Sequence, residues 1–192
     1  MTTVPDTPQM RAGTLGTVVG AMWIVHVLDI LVPGAGSVLG HGIVPRTLSG
    51  LEAIPAAPWI HGSFQHLIAN TIPFLILGGL VLLRGVLEFV FVVLTCLIIA
   101  GAGTWAFGAG NTQHIGASGI VFGLFGYLLL RTVFDRRLSS AAITLVVAAA
   151  YGAAMIRSII PASGISWSAH FFGFIGGVIA ARLRHVERAR SS

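Results

Sequence analysis

Six apolar runs, at about residues 13–32, 64–83, 87–107, 118–130, 141–156 and 168–183, leave this chain almost no polar face to turn toward water. Residues 72–83 contain no ionisable group at all. A soluble domain carries about 25% charged residues; here 9% of 192 residues are charged and 55% are hydrophobic. Roughly 20 apolar residues cross the hydrocarbon core as a helix, and no strand-like alternation competes for these segments. The chain therefore reads as all-α, a polytopic membrane protein with a six-transmembrane-helix bundle. Residues 1–12 form an N-terminal tail, 13–184 the membrane domain and 185–192 a basic C-terminal tail. The first run is long for the apolar core of a signal peptide and contains Asp29, so it reads as retained, with a leader ending near Ala35 as the alternative.

The connections are uneven. Residues 33–60 form a long Gly- and Pro-rich link, expected at the membrane interface with Trp59 as anchor, whereas 84–86 is a tight turn. With the N-terminus cytoplasmic, Arg11, Arg84, Arg131, Arg136, Arg137, Arg182, Arg184, Arg188 and Arg190 fall inside and only Arg46 and Arg157 outside. This fits the positive-inside rule and places both termini in the cytoplasm. The net charge of +5 thus serves orientation, and the basic tail is either an anchor on anionic bilayer lipid or a plain stop-transfer cluster; no nucleic-acid footprint appears. Cys96 lies alone in an apolar run and reads as a small core residue. The Ala- and Arg-rich, Lys-free composition points to a GC-rich bacterial gene and hence a plasma membrane.

Polar groups inside membrane segments are costly and mark function by default. Their depth can be measured from the cytoplasmic Arg of each run at about 1.5 Å per residue. Ser118 lies thirteen residues from Arg131, His170 twelve from Arg182 and Asn70 fourteen from Arg84, which puts all three roughly 18 to 21 Å from the inner side. His66 shares the Asn70 face one turn further out. The fourth run is too short to span from Ser118, so it should start inside the membrane, with residues 108–117 lining a water-filled pocket open to the outside. Gly119, Gly123 and Gly126 form one stripe, and Gly173 and Gly177 share the His170 face; such stripes let helix backbones approach closely.

A Ser hydroxyl is a weak nucleophile until a base takes its proton, and neutral imidazole suits that task. Ser118 is flanked by Gly116, Ala117 and Gly119, which clear space for a substrate, and a helix N-terminus offers unpaired N–H groups to a developing oxyanion. Phe171, Phe172, Gly173 and Phe174 follow His170 and supply no acid, so a Ser-His dyad is expected rather than a triad. His66 and Asn70 can donate to the oxyanion, or alternatively form a hydrogen bond that only holds the bundle together.

The chain resembles the rhomboid intramembrane serine proteases in three ordered motifs: His61-Gly-Ser-Phe-Gln-His66-Leu-Ile-Ala-Asn70, Gly116-Ala-Ser118-Gly119, and Ala169-His170-Phe-Phe-Gly173-Phe-Ile-Gly176-Gly177. The resemblance runs from about Pro45 to Arg182. It implies a cofactor-free membrane endopeptidase, with Ser118 as nucleophile, His170 as general base and then acid, and His66, Asn70 and the Ser118 N–H as oxyanion hole. It also implies single-span membrane proteins as substrates, cut near the outer surface, often after a small residue. His61 matches the outer histidine of the family, with a loop residue of no catalytic part as the alternative. Phe122 stands where many relatives have Tyr, Pro45-Arg46 where they have Trp-Arg, and Leu82 where they often have Glu near the inner end of the second span. Two rival functions are a non-catalytic relative that binds membrane proteins, although such proteins usually lack the Ser or the His, and a small transporter, although the cluster lacks the acids that would hold cations.

The remaining polar residues read as structural. His26 and Asp29, spaced i, i+3, are expected to bond one another. His41 and His185 are expected to face water, as is His114, with a place at the pocket mouth four residues before Ser118 as its alternative. His61 and His66 are spaced by five with no Glu between them, so no metal site is expected.

Overall fold

The computed structural model describes residues 6–32, 37–135, 138–162 and 164–191; Ala35, Arg136, Arg137 and residues 1–5 of the N-terminal tail fall outside them, as do the side chains of Arg188 and Arg190. Among the described residues seven α-helices follow one another: α1 (Pro8–Leu31), α2 (Leu48–Glu52), α3 (Phe64–Leu82), α4 (Val86–Phe107), α5 (Ser118–Asp135), α6 (Leu138–Ile159) and α7 (Trp167–Ser191), with a 3-10 turn at Ala57–Trp59. Among the described residues there are no strands, only isolated bridges at Ser37 with Gly40 and Ile43 with His114. By length and composition α1, α3, α4 and α6 are each apolar and long enough to cross a membrane, while α5 carries a shorter apolar stretch, Ser118–Phe134.

Local chemistry sets the boundaries, and twice it moves them. α1 begins at Pro8, inside the expected tail, because Thr7 caps it by accepting from the Met10 N–H at 3.2 Å and Pro8 needs no N–H partner at the first turn. α7 continues through residues 185–191 as helix rather than ending where the apolar run ends. The tight turn after α3 uses Gly85 at φ +113°, a conformation that glycine adopts without strain. α3 starts at a Ser63 cap on the His66 N–H and contains Pro73, which has no N–H to give the Ala69 carbonyl.

Lipid tails are as apolar as leucine, so burial alone does not hold membrane helices together; close packing and hydrogen bonds do. α5 and α7 meet through the two glycine stripes. A Cβ on Gly173 would fall 2.0 Å from the Gly119 carbonyl oxygen, and one on Gly177 1.9 Å from that of Gly123. Gly126 lies against the Phe174 carbonyl, and Gly123 also abuts the Cys96 sulfur, which brings α4 onto the same seam. Cys96 is fully buried there, beside a core that includes Phe74, Leu77, Phe89, Val92 and Leu124.

At one end of this seam Glu88, 2% exposed, accepts from the Tyr127 hydroxyl and from Arg184 Nε at 2.9 Å, tying α4, α5 and α7 together. Leu82, where relatives often carry Glu, is a buried core residue, and the buried carboxylate of this region comes from Glu88. α6 is one of the less embedded long helices, with Ser140, Val147 and Met155 buried. It is held near its start by Thr144, which reaches Thr132 and the Leu128 carbonyl on α5.

Candidate active site

The reacting groups are presented by the N-terminal ends of α5 and α7. Ser118 is the first residue of α5, and the first helical bond runs from the Val121 N–H to the Ala117 carbonyl at 3.0 Å. The N–H groups before it have no acceptor within the helix. The approach to Ser118 is pinned by three backbone bonds to the long first connection, two exchanged between Ile43 and His114 and one from the Gly116 N–H to the Ala57 carbonyl, each 2.9 Å. Gly116 sits at φ +99°, where a side chain would be strained and would also strike the His66 ring at 2.7 Å.

His170 Nε2 lies 3.0 Å from Ser118 Oγ. His170 Nδ1 lies 2.7 Å from the Ser158 carbonyl at the end of α6. A carbonyl can only accept, so Nδ1 carries the proton and Nε2 turns its lone pair to the hydroxyl. Phe122, one turn into α5, stacks on the imidazole at 4.1 Å between centroids and 1° between planes. The ring is therefore held by one hydrogen bond and one flat contact, neither of which needs the hydroxyl of the Tyr more usual at that position. Ser158 is the member of the site that sequence reasoning missed. Its contribution is a backbone carbonyl, which any residue type supplies, so no sequence signal marks it.

His66 and Asn70 are both brought to the Ser118 loop: the Cβ position of Gly116 is 2.7 Å from His66 Nε2 and 3.3 Å from Asn70 Nδ2. The Asn70 amide donates to the His66 carbonyl at 3.0 Å, a bond within α3 that joins no second helix. All four side chains line a cavity of about 950 Å³ between α3 and α6. Residues 109 and 112–115, in the segment expected to line a pocket, form part of its wall. Among the described residues its lining carries no Arg, Asp or Glu.

Several residues around the site depart from expectation. His114 is buried rather than solvated and bonds Ser166 Oγ at 2.6 Å; burial holds its pKa below the ordinary imidazole value. His26 and Asp29 are not paired. His26 Nδ1 donates to the His61 carbonyl at 3.0 Å and Asp29 accepts from the Val38 N–H at 2.6 Å, because the first connection folds back over α1 and offers better partners. His61 is buried with its ring 5.2 Å from that of His66, and burial, with the nearby His66, pushes its pKa down to about 4. Trp59 packs on a cluster of Met22, Leu67 and Ala117. Arg46 holds the first connection to the end of α4 through the Ala106 and Gly108 carbonyls at 3.1 and 3.0 Å. His41 and His185 are exposed.

The family model of the Rhomboid domain matches residues 51–187. The chain belongs to the Rhomboid family. This rhomboid is similar to an uncharacterized protein of Mycobacterium tuberculosis (strain H37Rv), 38% identical over 179 residues that cover 88% of this chain and 73% of the relative. An uncharacterized protein of Mycobacterium leprae is 36% identical over 179 residues, covering 88% and 70%. A Bacillus subtilis protein named "Putative rhomboid protease YdcA" is 32% identical over 125 residues, covering 65% of this chain and 62% of its own. Family membership and the apolar helices make the chain an integral, multi-pass membrane protein.

Proposed function

We propose that this rhomboid is an intramembrane serine endopeptidase, with Ser118 as nucleophile and His170 as general base and then acid. The observation that carries the reading is the 3.0 Å contact between Ser118 Oγ and an imidazole nitrogen whose lone pair the Ser158 carbonyl directs toward it. As Oγ bonds to the substrate carbonyl carbon, its proton passes to His170 Nε2 and the carbonyl π electrons move onto oxygen. The Ser118 N–H, His66 and Asn70 stabilise that oxyanion. Loss of one such donor typically costs about 10²- to 10³-fold in rate. The tetrahedral intermediate collapses as His170 returns the proton to the departing amine, leaving an acyl-enzyme. Water then adds by the same route, releasing the acid and restoring the hydroxyl.

The cavity walls favour an apolar substrate. Ile72 and Pro73 on α3 face Tyr151 and Met155 on α6 across a cavity without charged lining among the described residues. A strand-like or unwound segment of a transmembrane helix can enter there, whereas a charged residue beside the scissile bond would meet no counter-ion. In this reading all six long helices span, both termini lie in the cytoplasm, and single-span membrane proteins are cut near the outer surface. Ser118→Ala and His170→Ala should abolish cleavage of a reporter transmembrane substrate while the protein still accumulates in the membrane. A serine-reactive phosphonate should label Ser118 in the wild type. Full activity in Ser118→Ala overturns the assignment.

A further inference from the structure

Four residues before each reacting group stands a member of a second Ser-His pair, with the partners exchanged: His114 precedes Ser118 and Ser166 precedes His170. Their side chains meet at 2.6 Å, and both line the same cavity as Ser118 and His170. The hydrogen-bond directions are fixed by the neighbours. Thr112 Oγ1 donates to the Ala109 carbonyl at 2.7 Å, which leaves its oxygen to accept from His114 Nε2–H at 3.1 Å. His114 Nδ1 is then the bare nitrogen, and the Ser166 hydroxyl donates to it.

Both partners are anchored to what they would position. The His114 backbone exchanges two bonds of 2.9 Å with Ile43, and the Gly116 N–H, two residues on, bonds the Ala57 carbonyl. The Ser166 carbonyl accepts the His170 N–H at 3.2 Å, the first turn of α7. Below this level α5 and α7 are locked by glycines; at this level no helix joins the segment before Ser118 to the start of α7. We propose that the His114–Ser166 hydrogen bond is a latch that sets the separation of Ser118 and His170 from the outer side, making His114 and Ser166 positioning residues for the reaction. The proposal rests on the peptidase reading of the site. A chance contact between two surface loops would not explain a buried imidazole whose two nitrogens are both satisfied across two elements.

The test is a double-mutant cycle on the full-length protein with a reporter transmembrane substrate, beside amide hydrogen exchange across residues 114–118 and 166–170. His114→Ala and Ser166→Ala should each lower kcat by about 10-fold with KM changed less than about twofold, and the double variant should lose no more than the worse single one. His114→Asn, whose side-chain oxygen can accept from Ser166, should recover most of the loss. Exchange in both segments should quicken in either Ala variant, and this holds whether or not the protein proves to be a peptidase. Ser166→Ala removes a single oxygen, so it reads the latch even if His114→Ala fails to fold. Multiplicative losses in the double variant overturn the proposal, as does unchanged exchange, or faster exchange with unchanged kcat. Activity surviving in Ser118→Ala would instead sink the peptidase reading, and exchange would still decide the latch.

Discussion

Replacing Gly173 by alanine adds one methyl group where the backbones of α5 and α7 touch beside the reacting groups. Its carbon would sit 2.0 Å from the Gly119 carbonyl oxygen, whereas ordinary contact begins near 3.4 Å. The opposing atom is backbone, so no rotamer change relieves the clash, and the helices must part by about 1.4 Å along that line. Gly173 is three residues beyond His170 and Gly119 one beyond Ser118. The displacement is therefore applied within one turn of the 3.0 Å contact between Ser118 and His170, and lengthening that contact by even 1 Å takes it past hydrogen-bonding distance. A misplacement of that size typically costs about 10²-fold in rate, and overpacking costs about 1 to 3 kcal/mol in stability. The expected result is an approximately 10²-fold loss of kcat in Gly173→Ala, with the protein still inserted and its melting temperature lowered. Gly152→Ala on α6 is the control, because nothing lies within 4 Å of its added carbon. Wild-type cleavage kinetics in Gly173→Ala, measured in the same detergent or proteoliposomes, would refute the argument that glycine packing sets the active geometry.

Glu88→Ala should destabilise the protein by about 3 to 5 kcal/mol, since it strips the carboxylate from a buried site shared with Tyr127 and Arg184; thermal unfolding in detergent reads this. His61 gives a pH signature. Burial pushes its pKa in the folded protein down to about 4, below the ordinary imidazole value of 6.5, so the folded state resists its protonation, and its contribution is intact above about pH 6.5 and lost progressively as pH falls toward 4. The whole effect is of order 3 kcal/mol at most. A His61→Gln variant should show a flatter fall of melting temperature across that window, and an identical pH slope in both proteins would contradict the burial argument.

Helical class, membrane residence and the rows of small and polar residues were legible in the sequence because the bilayer imposes them locally. Each spanning segment must satisfy its own backbone and show lipid an apolar face, so length and composition suffice. The common level of Ser118, His170 and Asn70 was legible because a helix rises by a fixed amount per residue, and the three side chains line one cavity. Glycine spacing announced that α5 and α7 could approach, because the missing Cβ is itself the sequence signal.

Partners supplied by the backbone, or reached across the turns of a long connection, were decided by tertiary structure alone. Ser158 orients His170 through a carbonyl common to every residue, and His26 chose the His61 carbonyl over the nearby Asp29 because the first connection folds back over α1. His114, spaced like a solvated loop residue, is buried against Ser166 because two bonds to Ile43 carry it inward. A pattern along the chain reports what each segment can bury, whereas the choice of hydrogen-bond partner depends on which groups are left unsatisfied once the helices have packed.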